Sequence, residues 1–185
     1  MQGEIKTNNA AERIFSDTKI PIVTFIRCAY FMENWTVALD TLKGPEPFFF
    51  STITPLDYRV PMVAVKDIGH AMATEVTRPE EKPQSSPYIF ELHGPRDFTP
   101  LDVQAAFSKA VGKEVAVRPI GQDQLADFYS QIFPAPIVGE WVEMAKCFLL
   151  GGPAVEKLPP EAERRVVRGT TELGEATEEA VNARA

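Results

Sequence analysis

Glycine-rich turns are missing from this sequence. None of its 11 glycines falls into a G-x-G-x-x-G or a G-x-x-x-x-G-K-[ST] pattern, and the Gly151-Gly152 pair follows a helical pattern and not a strand. The backbone amides that cradle a pyrophosphate at a helix N-terminus therefore have no sequence signature here. A G-x-S-x-G nucleophile elbow is absent as well, which excludes an α/β-hydrolase. Tyr30, Tyr58, Tyr88 and Tyr129 lead, four positions on, to Asn34, Met62, Leu92 and Phe133, so there is no Tyr-x-x-x-Lys proton-transfer pair. Cysteine and histidine are scarce. Two cysteines, Cys28 and Cys147, cannot build a disulfide framework, and each sits in an apolar run that suits a buried, reduced thiol of an intracellular protein. With only His70 and His93, no Cys/His cluster has zinc-ligand spacing.

Basic clusters and long apolar runs are missing too. Lys and Arg number 19 against 26 Asp and Glu, for a net charge of −7, and no stretch concentrates the cations. That argues against a phosphate-backbone footprint and against nucleic acid as a direct partner. No apolar run approaches the ~20 residues of a membrane-spanning helix, and the polar N-terminus lacks a signal-peptide core. The sequence reads as a cytoplasmic protein.

What is present is an ordinary globular balance, 44% hydrophobic and 24% charged, over 185 residues. The spacing of Ala11, Ile14 and Phe15 predicts a short helix over 9–18. The β-branched run 20–26 predicts a strand covered on both faces, with Pro21 at its start. A helix feeding such a strand is one half of a βαβ unit. Residues 43–62, with five Gly and Pro, read as irregular chain that buries Phe48, Phe49 and Phe50. Asp67 is placed to cap a helix through about Val76, with Ile68, Ala71, Met72 and Val76 as its stripe. Residues 78–87 read as a surface loop, 88–92 as a strand, and His93 as a loop residue.

The strongest local signal lies at 99–112. Thr99 is an N-cap, Pro100 stands at N1, Asp102 follows three residues after the cap, and Gly112 terminates the helix. Val103, Ala106, Phe107, Ala110 and Val111 form its buried face. Residues 115–118 predict a strand. Two amphipathic helices follow within 121–150, on Leu125, Phe128 and Ile132, then on Ile137, Trp141, Met144, Ala145 and Phe148. Residues 153–185 read as a polar tail, with Glu-rich 172–180 as a last helix or a solvated face. The fold class expected is α/β with helices crowded toward the C-terminal end.

Three segments in order resemble the NmrA-like family, atypical short-chain dehydrogenase/reductase proteins with a Rossmann domain. The first is Ile20-Pro21-Ile22-Val23-Thr24-Phe25-Ile26-Arg27 running into Tyr30-Phe31-Met32-Glu33-Asn34. The second is Val60-Pro61-Met62-Val63-Ala64-Val65-Lys66-Asp67-Ile68-Gly69. The third is Leu92-His93-Gly94-Pro95 with Phe98-Thr99, Val103 and Val111-Gly112. They cover roughly residues 8–120.

The resemblance implies a partial Rossmann-like fold: late sheet strands plus a smaller helical substrate-side region, without the Gly-rich N-terminal βαβ half. It implies NAD(P) as cofactor, NADP above NAD, and a turn at 28–34 that flanks the nicotinamide end. The cofactor-contacting positions it implies are Asn8, Ala29, Tyr30, Phe31, Met32 and Asn34. Asn8 stands where many members carry a Lys, four residues before Glu12, and brings no charge. No catalytic residue carries over. The function implied is an NAD(P)-binding, oxidoreductase-type protein acting on a small organic substrate. Two rival readings are a non-enzymatic regulator with a protein partner, and a truncated gene product whose exposed sheet edge self-associates.

From the residues alone, Glu33 and Asn34 are expected to cap or orient the following segment. Arg27, at the end of a strand, is expected to have an ion-pair partner.

Overall fold

The computed structural model describes residues 3–77, 86–152 and 164–184. In chain order its regular elements are α1 (Lys6–Ser16), β1 (Thr24–Cys28), β2 (Tyr30–Phe31), β3 (Phe48–Ser51), β4 (Val60–Val63), α2 (Val65–Thr77), β5 (Tyr88–His93) and β6 (Asp97–Phe98). Then come α3 (Pro100–Val111), β7 (Ala116–Pro119), α4 (Leu125–Ser130), α5 (Ala135–Cys147), β8 (Val166–Arg168) and α6 (Leu173–Asn182). This is a mixed α/β fold, as expected. Most of the expected loop at 78–87, and residues 153–163 of the expected tail, lie outside the described residues.

The strands form three small sheets. β1 pairs in parallel with β5, Thr24 opposite Tyr88 through Cys28 opposite Leu92, and β5 pairs in parallel with β8. β2 is parallel to β4, which is antiparallel to β6. β3 is parallel to β7. The segment 43–62 is thus more regular than its Gly and Pro content predicts. Phe48-Phe49-Phe50 is strand β3, and Pro61 sits in β4 as the partner of Asp97 on its short antiparallel side.

The main core packs α3 and α6 against β4 and the 3-10 segment Met32–Ala38. Trp35, Phe49, Met62, Phe98, Val103, Phe107 and Leu173 are all buried there. Phe49 meets Trp35 and Phe107 edge-on at 5.6 and 5.5 Å, a favoured quadrupole geometry. A second cluster joins α4 to α5 through Leu125, Tyr129, Ala145 and Leu149, with Phe133 stacked on Trp141 at 4.1 Å.

The α3 signals all hold. The Thr99 hydroxyl accepts from Asp102 N–H at 3.0 Å, the Asp102 carboxylate accepts from Thr99 N–H at 2.8 Å, and Gly112 takes φ 68° at the C-terminal end. Both cysteines are free, Cys147 buried and Cys28 half-buried.

Other expectations change as well, among them the burial of Phe50, which is 43% exposed. The strand read as covered on both faces is only half-buried: Ile26 and Cys28 pack with Ile68 and Ala71 of α2, while Ile20 and Ile22 remain exposed. Helix α1 forms but buries none of its residues. Of the α2 stripe, Met72 and Val76 face solvent. The Glu-rich tail holds α6, which buries Leu173 and Thr177 against the main core instead of lying solvated throughout.

Candidate functional site

Residues 28–34 lie where the chain passes from one sheet to another. β1 and β5 run parallel and reach their carboxyl ends at Cys28 and His93. Ala29 N–H still donates to Leu92 O at 2.9 Å. One residue later β2 pairs with β4, Tyr30 opposite Met62. The turn thus sits outside the carboxyl ends of parallel strands, the usual ligand side of an open α/β sheet.

Three of the candidate residues hold this turn. Ala29 is fixed by its bond to Leu92. Tyr30 is half-buried, edge-on to Phe148 at 5.5 Å and tilted against Trp35 at 5.8 Å. Burial pushes its hydroxyl far above the ordinary phenol range; the nearby Tyr129 adds to this, and a hydrogen bond with Asn34 opposes it. Tyr30 is therefore a neutral phenol near pH 7. Met32 is 3% exposed, and its Cε sits so close to Gly94 that a Cβ there would lie 3.1 Å away.

Two others present surface: Phe31, 39% exposed, and Asn34, also exposed. Asn8 lies exposed on α1, one helical turn from Glu12. Glu12 in turn holds Arg27 by two bonds, of 2.9 and 2.7 Å, from the guanidinium to the carboxylate. The expected ion-pair partner of Arg27 is Glu12.

Glu33 does cap, but not the segment that follows it. Its Oε1 accepts from the backbone N–H of Val65 at 2.9 Å, at the start of α2. Its Oε2 is buried without a partner among the described residues. Asp67, read as the cap of α2, instead lies within the first turn of that helix. It accepts from Thr171 N–H and Thr171 Oγ1, both at 3.0 Å. His70 of the same helix is exposed, so the two form no acid–base pair.

His93 ends β5 instead of lying in a loop, and is 6% exposed. Its Nε2 lies 3.1 Å from the Glu91 carboxylate, which also pairs with Arg164. Burial pushes the His93 imidazole below its ordinary range. Glu91 opposes this, while Arg168 and Arg164 add to it. Sequence reading missed this cluster because Arg164 is 73 residues from Glu91 and no local pattern links them.

Phe31 offers an exposed ring, and Asn34 and Asn8 offer amide donors and acceptors. The glycines with positive φ are Gly3, Gly112 and Gly151, and none of them follows a strand. Two glycines lie between a strand and a helix, Gly121 and Gly169, but the N–H of each is already given, to Gln124 Oε1 at 2.9 Å and to His93 O at 2.7 Å, so neither is open to a pyrophosphate. An open groove of about 510 Å³ beside α6 is lined by Glu172, Glu175, Glu178 and Glu179 against the single cation Lys109, with Lys66 paired to Glu175 and Glu179. Among the described residues no three His, Cys, Asp or Glu could hold a metal ion, and no helix is long and apolar enough to cross a membrane.

No family model matches the sequence, and no curated protein does. Solved structures do match the fold. An NADPH-dependent quinone oxidoreductase from Escherichia coli, complexed with NADPH, superposes with a TM-score of 0.66 at 18% identity, over 96% of this chain and 60% of its own. NmrA, a negative transcriptional regulator in complex with NAD, gives 0.62 at 14%, over 95% and 57%. Isoflavone reductase gives 0.62 at 15%, over 94% and 57%.

The fold is thus part of an NmrA-like, Rossmann-type architecture, found in a quinone oxidoreductase complexed with NADPH and in NmrA complexed with NAD. The chain spans roughly three fifths of the length of the structures it matches, 56% of one and 62% of another.

Proposed function

We propose that this chain is the substrate-side part of an NAD(P)-binding, oxidoreductase-type protein that acts on a small organic substrate, with NADP the preferred cofactor. The turn at 28–34 flanks the nicotinamide end, Phe31 and Asn34 contact it, and Asn8 reaches toward it from α1. The observation that carries this reading is the position of the turn, outside the carboxyl ends of parallel strands in a fold shared with an NADPH-bound quinone oxidoreductase. Hydride chemistry would belong to the cofactor, and the protein would bind and orient. The chain by itself holds NADPH weakly or not at all, because nothing described here cradles the pyrophosphate.

The test uses reduced nicotinamide mononucleotide, which lacks the adenylate and the pyrophosphate. A millimolar titration followed by amide NMR perturbs Ala29–Asn34 and Asn8 first. Perturbation centred elsewhere, or none at all, overturns the assignment of the turn.

A second reading has its own support. NmrA is described as a transcriptional regulator in complex with NAD, and this sequence has neither a Tyr-x-x-x-Lys pair nor a Lys at position 8. In that reading the same turn senses a cofactor without turnover, and a protein partner reads the state. A pulldown from the native cell that returns no stoichiometric partner counts against it.

A further inference from the structure

β3 and β7 pair in parallel, Phe48 opposite Ala116 through Ser51 opposite Pro119. Side chains alternate along a strand, and here the two faces differ. Phe49 and Ser51 are buried, at 1% and 0% exposure. Phe48 and Phe50 turn the other way, Phe50 43% exposed, beside exposed Ala116 and Arg118. The two rings stand 5.4 Å apart at 82°, and Phe128 of α4 continues them at 5.5 Å from Phe50. The Arg118 guanidinium lies over Phe48, 3.4 Å from the ring centroid, and 6.0 Å from that of Phe50. Three rings and a cation thus form one continuous patch, unlike a scattered surface Phe.

The patch is also polarised. Among the described residues no carboxylate pairs with Arg118. One face of its guanidinium rests on a ring, and its N–H edge is left for an acceptor. The strands run parallel, so their N-terminal ends lie together, and an exposed acid precedes each: Glu46 two residues before Phe48, Glu114 two before Ala116. Against these two stands the exposed Lys113. The face therefore carries acid at one end and Arg118 toward the other. A flat face suits another protein surface better than a small molecule, which needs a pocket to bury it. Arginine and aromatic rings are the side chains on which protein interfaces most depend.

We infer that this face is an interface between two copies of the chain, stacked sheet on sheet about a two-fold axis. An axis lying between the faces, across the strands and over the Phe49–Val117 pair, sets the copies antiparallel. Each Phe48 then meets the second copy's Phe50, and each Arg118 lies against its Ala116. The acidic end of one copy faces the cationic end of the other. Large against small and acid against base is the self-complementarity that an isologous contact requires. An axis along the strands instead sets Glu46 against the second copy's Glu114, a like-charge contact. Two strands of four residues make a small face, so the dimer is weak, with a Kd on the order of 10–100 µM. The interface rests on no cofactor reading, so the two fail separately.

Sedimentation equilibrium of the full chain is measured from about 10 µM to 1 mM, a range that brackets that affinity. The chain passes from monomer to dimer. Amide NMR shifts that move with concentration centre on Phe48, Phe50, Ala116 and Arg118. Phe50→Glu and Arg118→Glu each weaken dimerisation at least about tenfold. Both side chains are exposed, so each variant still melts cooperatively. Arg118→Glu combined with Glu46→Arg and Glu114→Arg recovers part of the loss, because the two ends have exchanged charge.

Four results overturn the inference. The chain stays monomeric throughout the range. It dimerises, but the shifts centre on another surface. Neither single variant changes the equilibrium. The chain stays monomeric while a Glu-rich peptide perturbs Arg118, which assigns the face to an acidic partner and not to a second copy.

Discussion

The Asp67 carboxylate accepts two hydrogen bonds from Thr171, one from its backbone N–H and one from its hydroxyl, each 3.0 Å long. The bonds tie the first turn of α2 to the segment leading into α6, across 104 residues of sequence. Gly169 makes room for them, since a Cβ there would lie 2.3 Å from Asp67 Oδ2. Asp67→Ala leaves both Thr171 donors buried and unpaired, at a cost of about 2–3 kcal/mol. Gly169→Ala pushes the carboxylate off Thr171 and is also destabilising. Urea midpoints read both, and an unchanged midpoint for either variant contradicts the packing described.

Glu33 is a structural cap. Glu33→Ala strips the acceptor from Val65 N–H and costs about 1 kcal/mol. Glu33→Gln keeps an acceptor oxygen and costs less. The check is the urea midpoint of the two variants. An Ala variant as stable as the parent would free Glu33 for a chemical role in the turn.

Acid weakens the chain in two stages. The folded state holds the His93 imidazole below its usual 6.5, so its contribution is complete above that pH and is lost as pH falls through the lowered value. Asp102 is held below its usual 3.8: burial pushes it up, but the Thr99 N–H and hydroxyl, with Arg96, outweigh that. Its contribution is complete above that pH and is lost below it. Glu12 behaves likewise, held below its usual 4.5 first of all by its hydrogen bond with Arg27. Thr99→Ala should cost ~1–2 kcal/mol at neutral pH and shift the Asp102 titration upward. NMR titration of His93 at or above 6.5 would contradict the first stage.

The exposed pair of Arg27 and Glu12 is worth less. Its guanidinium is half in water, so Arg27→Gln is expected to cost under about 1 kcal/mol. Its clearer readout is the Glu12 carboxyl, which returns toward its ordinary range when the guanidinium is gone.

Local signals in the sequence were legible because their partners are local. Thr99, Pro100, Asp102 and Gly112 specify α3 within 14 residues, and the structure realises each of them. The fold class and the order of most elements followed from such segments. Burial was not legible in the same way. The run 20–26 has the composition of a doubly covered strand, yet what covers it is a property of its neighbours: α2 packs on Ile26, while Ile20 and Ile22 stay exposed.

The candidate turn was located by its resemblance, but its internal roles were not. Met32 and Tyr30 serve packing, and Glu33 serves a helix 32 residues onward. β8 and the Glu91–His93–Arg164 cluster escaped because pairing across some 70 residues leaves no periodic trace.

The central proposal is that the turn at 28–34 flanks the nicotinamide end of a dinucleotide, with no open pyrophosphate cradle among the described residues. Titration of NADPH against the purified chain, followed by nicotinamide fluorescence, tests it most directly. The account predicts no saturable enhancement at micromolar cofactor. Saturation in the low micromolar range would contradict it.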